Sequence, residues 1–281
     1  MPRMEVIRSI AELRQRLQSE PRVGCVPTMG NIHDGHLRLV RIAQERAPCV
    51  VTTIFVNRLQ FAAGEDFDRY PRTFEDDCGK LAALGVNVIF YPDEQQMYPQ
   101  PQIFAVDPPP IANKLEGRFR PGHFRGMATV VLKLFNIVQP QLAVFGKKDY
   151  QQLHIVQHMV EQLALPIEIV AAETYRADDG LALSSRNRFL TAAERKEAPR
   201  LFAVLNQVKD AVEAGDRNFE AMEFAADAEL ARHGWHVDYV VVRRRATLTA
   251  PEPGDRELVA LGAAKLGQPR LIDNLEILAP A

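Results

Sequence analysis

One stretch constrains the fold more than any other: Val26–Pro27–Thr28–Met29–Gly30–Asn31–Ile32–His33–Asp34–Gly35–His36. Arg22–Val23–Gly24–Cys25–Val26 before it reads as a short buried strand, and Leu37, Val40 and Ala43 after it recur at helical spacing. A strand therefore runs into a tight loop that opens a helix. Gly30 and Gly35 let the backbone approach a ligand closely. His33 and His36 stand on neighbouring positions of the first helical turn. That end of a helix has unpaired N–H groups and the positive pole of the dipole, which favour phosphate. Imidazoles beside it can donate hydrogen bonds to phosphate oxygens. Either histidine alone could be a cap or a surface residue. A His-x-x-His pair could also serve zinc, but no Cys or carboxylate cluster nearby supplies the further ligands.

The flanking pattern says what sheet receives this loop. Ser9–Ile10–Ala11–Glu12 fits a capping box, with Ile10, Leu13 and Leu17 as a helix stripe. The run from Cys49 to Val56 is β-branched without polar alternation, as in a parallel strand buried on both faces. Asn57 to Arg72 is a polar loop, Thr73 caps a helix through Leu84, and Val86–Tyr91 is a strand. Residues 92–125 read as irregular, with Pro108–Pro109–Pro110 excluding a helix there. A helix over Met127–Val138 follows, then a strand at Leu142–Phe145 ending in Gly146–Lys147–Lys148–Asp149. Another helix runs to about Leu163, and Ile167–Val170 is a strand. Strands alternating with helices imply βαβ units and a parallel sheet. Ligands in such sheets bind beyond the carboxyl ends of the strands, the edge that carries the Met29, Asn57 and Gly146 loops.

After Ala172 the pattern changes to a polar turn at Ala182–Asn187, helices near Ala192–Ala214 and Phe219–His233, and strands near Val237–Val242, Glu257–Leu261 and Arg270–Ile272. The expectation is two domains, residues 1–172 and a smaller α+β domain at 173–281. A formal net charge of −2 on 281 residues gives no overall pull toward nucleic acid. The basic run Arg243–Arg244–Arg245 reads as a solvated strand end. No stretch approaches the roughly 20 apolar residues of a membrane span, and Arg3, Glu5 and Arg8 interrupt any apolar signal core. Cys25, Cys49 and Cys78 are scattered, which suits reduced thiols and a cytoplasmic setting.

Three loops now carry phosphate-friendly groups: His33 and His36; Lys148 beside Asp149; and Ser184, Ser185 and Arg186. A lone Lys-Asp pair is usually a surface ion pair of little weight, and a lone Ser-Ser-Arg a solvated turn. Together in one α/β frame they look like a nucleoside triphosphate site. The Gly-x-x-x-x-Gly-Lys-Ser/Thr of a P-loop is absent.

The His33–Asp34–Gly35–His36 motif with its later Ser-Ser-Arg resembles the nucleotidyltransferase superfamily that includes class I aminoacyl-tRNA synthetases. The closer resemblance is to the pantoate–β-alanine ligase (pantothenate synthetase) family. It is carried by Pro27–His36, Phe55–Val56–Asn57 with Gln60–Phe61, Tyr70–Pro71–Arg72–Thr73, Leu115–Glu116–Gly117 and Arg120–Gly126. Phe145–Gly146, Lys148–Gln152, Leu181–Asn187 and Arg270–Asn274 complete an ordered set across almost the whole chain.

The resemblance implies a Rossmann-like parallel sheet with helices on both faces, binding nucleotide and pantoate, plus a smaller C-terminal domain closing over the ATP site. It also implies a homodimer. Its reaction is ATP-dependent condensation of pantoate with β-alanine through a pantoyl adenylate, with ATP as substrate and Mg²⁺ beside it. The residues it implies for catalysis are His36, His33, Lys148 and Arg186, with His36 the acid. Around ATP it implies Met29, Gly30, Asn31, Ile32, Asp34, Gly35, Gly146, Lys147, Asp149, Tyr175, Leu183, Ser184 and Ser185. Gln60 and Gln152 would hold pantoate, Gln60 also β-alanine, and Asp76 and Asp77 are the candidates near a metal ion. Three positions depart from the family's pattern: Arg58 stands where Pro is usual, Gln100 and Pro101 follow Tyr98–Pro99 where a Gly is usual, and Leu183 replaces Met. Another nucleotidyltransferase would share the histidines without needing Gln60 and Gln152. A nucleotide-sensing or RNA-binding module would not need His33, His36, Lys148 and Arg186 together.

Overall fold

The computed structural model describes residues 4–62, 64 and 67–280. Arg3, and residues 63, 65 and 66 of the expected polar loop, lie outside the described residues. Contacts divide the chain into two compact units, Met1–Lys147 with Gln151–Glu173, and Lys148–Tyr150 with Thr174–Ala281.

The first unit is built on six strands: β1 (Glu5–Ile7), β2 (Val23–Thr28), β3 (Cys49–Ile54), β4 (Val88–Phe90), β5 (Leu142–Gly146) and β6 (Glu168–Ala172). They lie in the order β1-β4-β3-β2-β5-β6, every pair parallel. Between them run α1 (Ile10–Leu17), α2 (Asp34–Gln44), α3 (Phe74–Ala83), α4 (Glu94–Met97), α5 (Glu116–Phe119), α6 (His123–Val138) and α7 (Tyr150–Gln162). Every residue of β3 is buried, as its unbroken β-branched run requires. Successive side chains of a strand alternate between faces, so the sheet feeds two cores. Cys25, Val51, Phe90 and Phe145 pack with Leu13 of α1, Leu134 of α6 and Val156 of α7. Val26, Val50, Ile89 and Val144 pack with Val40 of α2 and Leu81 of α3. Helices therefore cover both faces, and the α/β expectation holds. From β2 the chain moves to β3 on one side, and β5 pairs on the other, so the loops after β2 and β5 border a topological switch point.

The second unit contains α8 (Ala192–Glu197), α9 (Arg200–Glu213) and α10 (Phe219–Arg232). Its antiparallel sheet is β7 (His236–Arg244), β8 (Glu257–Lys265) and β9 (Arg270–Leu278). Leu201, Leu205 and Leu230 pack on Val240, Leu258 and Ile277 to make its core.

Some boundaries differ from the sequence reading. The expected helix over 192–214 is two helices with Pro199 between them, because proline lacks the N–H and crowds the preceding turn. The expected strands at 257–261 and 270–272 continue to Lys265 and Leu278. Asp273 and Asn274 interrupt the apolar pattern of β9, yet both are buried and bonded. The stretch 92–125 holds α4, α5 and a 3-10 turn at Pro110–Asn113, which Pro110 opens at a position where a missing N–H costs nothing. The sequence pattern announces neither β1 nor the 3-10 turn at Arg58–Gln60; each is three residues, too short to show a period.

Candidate active site

The loop after β2 is shaped by α3. Gly30 and Asn31 both take left-handed conformations, with φ of 81° and 53°. Asp77 of α3, only 1% exposed, accepts the Asn31 N–H at Oδ2 (2.9 Å) and the Ile32 N–H at Oδ1 (2.7 Å). The Thr73 hydroxyl donates to the same Oδ1 at 3.1 Å, and Lys80 Nζ donates to the Ile32 carbonyl at 2.8 Å. A Cβ on Gly30 would stand 3.0 Å from Asp77 Oδ2 and 3.1 Å from Ile54 Cγ2, so glycine is needed here for space as well as conformation. Thr28 Oγ1 donates to the Thr53 carbonyl (2.7 Å) and accepts the Gly30 N–H (3.1 Å), tying the loop to β3.

This clamp delivers His33 as the N-cap of α2 and His36 as its third residue, with Asp34 and Gly35 between. The two rings lie 4.0 Å apart, inclined by 30°. The His33 backbone N–H donates to His36 Nδ1 at 3.4 Å. Nδ1 of His36 is thereby an acceptor, which leaves Nε2 as the ring nitrogen able to donate.

Gln60 closes the 3-10 turn after β3 and is buried. Asn57 Nδ2 donates to Gln60 Oε1 (3.1 Å) and to the Gly126 carbonyl (3.2 Å). Gln60 Nε2 lies 3.3 Å from Met29 Sδ, which joins this residue to the first loop. His123 Nδ1 holds the Gln60 carbonyl at 2.8 Å, and the Arg120 guanidinium meets its Nε2 at 3.1 Å. A Cβ on Gly126 would fall 2.0 Å from the Leu59 carbonyl oxygen, so only glycine lets α6 pass against this turn. Thus Asn57, Arg120, His123 and Gly126, to which the sequence alone gives no role, build the seat of Gln60.

The neighbours Gln151 and Gln152 are used differently. Gln151 is buried, accepts the Glu116 N–H (3.0 Å) and donates to the carbonyls of Ile111 (2.8 Å) and Lys114 (3.0 Å). The Gln152 side chain, half-buried, makes no hydrogen bond among the described residues. Lys147, just past Gly146, pairs with Glu173 at 2.5 Å.

In the second unit, Lys148, Ser184, Asn187 and Asp273 line one recess. The Lys148 carbonyl accepts from Asn274 Nδ2 at 3.0 Å, and Tyr150 donates its phenol proton to Glu276 Oε1 at 2.9 Å. Asp149 lies at the limit of an ion pair with Lys148, 4.0 Å. Asp273 is gripped by both amino nitrogens of Arg176, at 2.6 and 2.8 Å. Burial pushes the Asp273 carboxyl up, and the Arg176 guanidinium works against that shift. The Leu183 N–H donates to the Tyr175 carbonyl (3.0 Å), and Ser184 Oγ accepts the Arg186 N–H (3.3 Å). Ser184, Ser185 and Arg186 thereby open a 3-10 turn. Arg176 and Asp273 escape a sequence reading because they lie 97 residues apart.

No group of three His, Cys, Asp or Glu side chains placed to hold a metal ion occurs among the described residues. Asp76 pairs with Lys80 at 2.7 Å, and Asp77 is engaged by the loop amides. No helix is long and apolar enough to cross a membrane, again among the described residues.

The family model for pantoate-beta-alanine ligase matches residues 5–276. A pantothenate synthetase from Nitrosospira multiformis is 61% identical over 274 residues, 98% of each chain. One from Nitrosomonas europaea is 57% identical over 277 residues, 99% of this chain and 100% of that one. The crystal structure of pantothenate synthetase from Thermus thermophilus superposes with a TM-score of 0.92 at 42% identity, covering 98% of this chain and 100% of that one. A Francisella tularensis pantoate-beta-alanine ligase, crystallised with beta-gamma ATP and beta-alanine, gives 0.80 at 32% identity over 97% of each chain. The chain belongs to the pantoate–β-alanine ligase family and is a ligase that forms an amide bond.

Proposed function

We propose that this ligase condenses (R)-pantoate with β-alanine at the expense of ATP, through a pantoyl adenylate held free in the site. The observation that carries the reading is the join between the two loops of the first unit: Gln60 Nε2 lies 3.3 Å from Met29 Sδ, in the loop that presents His33 and His36. An amide that can hold an acid substrate is thus joined to the loop that also carries imidazoles able to meet phosphate. The Francisella relative, crystallised with an ATP species and β-alanine, supports the same substrates here.

In the first step a pantoate carboxylate oxygen attacks the α-phosphorus of ATP and pyrophosphate leaves. The β-alanine amine then attacks the acyl carbon and AMP leaves, its phosphate keeping the bridging oxygen. Met29–His36 with Gly146 and Lys147 cradle the nucleotide, and His36 donates from Nε2 to the phosphate oxygens. Lys148, Arg186, Ser184 and Ser185 are the groups proposed to neutralise the developing charge, with Asp149, Tyr175 and Leu183 for the nucleoside. Gln60 and Gln152 hold pantoate, and Gln60 then orients β-alanine. Mg²⁺, when bound with ATP, would neutralise triphosphate charge, and Asp76 and Asp77 are the carboxylates proposed nearest to it.

No acyl-enzyme is needed. Burial pushes the thiols of Cys25 and Cys49 up to about 12 and about 11, so neither offers a thiolate near neutrality. The scattered free cysteines suit work in the cytoplasm, and the family resemblance is what supports a homodimer.

Pantoate carrying ¹⁸O in its carboxylate tests the mechanism. One label should end in AMP once β-alanine is added, and labelled pyrophosphate should exchange into ATP only when pantoate is present. Label in pyrophosphate, or AMP without label, would rule the adenylate out.

A further inference from the structure

Tyr98 follows α4 and is half-buried, with its ring 6.0 Å from that of Phe55 and Lys133 Nζ 4.6 Å from its centroid. Its hydroxyl donates to Asn57 Oδ1 at 2.7 Å. An amide oxygen can only accept, so the phenol must be the donor, and burial, which raises the phenol above its ordinary range, favours the same protonated form. Asn57, 1% exposed, then has its amide fixed from both ends. The Gly126 carbonyl can only accept, so it requires Nδ2 on its side at 3.2 Å, and Tyr98 matches the oxygen on the other. The second N–H of that amide reaches Gln60 Oε1 at 3.1 Å. Gln60 must therefore turn its oxygen inward and its Nε2 outward, toward Met29.

We propose that Tyr98 is a positioning residue that, through Asn57, locks Gln60 as a hydrogen-bond donor, so that the acid substrate is recognised by an accepting oxygen and a group that only donates is refused. This rests on the reading of Gln60 as a pantoate ligand. Without the hydroxyl, Asn57 Oδ1 is left buried and bare, the Asn57 amide is no longer fixed, and Gln60 can present its own oxygen to the substrate.

The test is a double-mutant cycle in the full-length enzyme, read as separate KM values for pantoate and ATP. Tyr98→Phe should raise the pantoate KM about tenfold, the loss of one buried hydrogen bond, while the ATP KM stays within twofold. Asn57→Asp breaks the next link, since a carboxylate accepts from Tyr98 but cannot donate to Gln60. It should give the same split, and it serves if the phenylalanine variant does not fold. In a Gln60→Ala background neither change should raise the pantoate KM further. Fully additive effects, an equal rise for ATP, or an unchanged pantoate KM would overturn the role of Tyr98. An unaltered pantoate KM in Gln60→Ala itself would overturn the reading of Gln60, and the lock with it.

Discussion

Two stretches of the first unit are held by opposite means. The Met29–His36 loop is pinned from inside, by a carboxylate that is 1% exposed and that takes two backbone amides and a hydroxyl. The cluster of Phe61, Phe67 and Arg72 is held from outside. Arg58 lies 4.1 Å over the Phe67 ring, Arg72 5.4 Å over the same ring, and Phe61 and Phe67 meet edge to face at 5.4 Å. Breaking a buried hydrogen bond leaves its partner dry and costs about 1–3 kcal/mol each time. Breaking an exposed cation–π contact costs about 0.5–1 kcal/mol, because water replaces it. The loop proposed to meet phosphate is therefore fixed by the first kind of contact, and the aromatic cluster around Phe67 by the second.

The sharpest test of this contrast sets His36 against Asp77. His36→Ala should lower kcat by about 10²–10⁴-fold, the span of a positioned acid, at a cost of about 1 kcal/mol or less for the lost capping contact to the His33 N–H. Asp77→Ala should also lower kcat, by about 10²-fold, through a loop displaced by an ångström or so. Unlike the first, it should cost about 3 kcal/mol or more in urea unfolding, since two amides and a hydroxyl lose their acceptor. Asp77→Asn, which keeps one accepting oxygen, should fall between. An Asp77→Ala enzyme with wild-type stability would show that the loop holds its own shape and would end the comparison.

The same contrast recurs between two residues adjacent in the chain. Gln151→Ala removes three hydrogen bonds to the 111–116 backbone and should cost about 2 kcal/mol of stability. Gln152→Ala removes none from the protein and should leave stability within about 0.5 kcal/mol. It should instead raise the pantoate KM about tenfold, with ATP binding by calorimetry unmoved. If Gln152→Ala lost ATP binding and kept pantoate binding, its assignment would be reversed.

These pairs also mark what was legible in the sequence. The parallel sheet was, because Cys49–Ile54 has no polar alternation and Pro48, Gly85 and Pro140 punctuate the helices. The residue types proposed to meet phosphate could be named from the sequence, because His33, His36, Lys148 and Arg186 are chemically suited to it wherever they stand. Their supports were not. Asp77 reads as a first-turn acid that complements the dipole of α3, and nothing local says that its oxygens reach back 45 and 46 residues. Gln151 and Gln152 are indistinguishable until α7 turns one inward. Tyr98, Asn57 and Gly126 become one unit only when α4, the turn after β3 and α6 meet. Hydrophobic periodicity reports burial, whereas polar wiring depends on tertiary neighbours.

Arg58 is where the smallest effect is expected, and where the contrast is most easily broken. It occupies the first position of the 3-10 turn that ends in Gln60, where the family resemblance leads one to expect proline. Proline suits that position because no N–H is required there. Arg58 instead lays its guanidinium on Phe67 and brings Nε to 3.4 Å from Glu94 Oε1, with the side chain 58% exposed. Its charge is thus matched locally rather than aimed at a substrate. Arg58→Pro should gain about 0.4–1 kcal/mol by restricting the unfolded chain and lose about 0.5–1 kcal/mol of cation–π contact, a net change near zero. Arg58→Ala should show the loss alone, and in a Phe67→Leu background that loss should shrink by half or more. For both variants kcat/KM should stay within about twofold of wild type, with the same ratio at low and high salt, since exposed pairs matter little. A fall in kcat/KM that is large at low ionic strength and vanishes when screened would make Arg58 a steering charge. The aromatic cluster around Phe67 would then be part of substrate capture, and not merely a set of weak contacts.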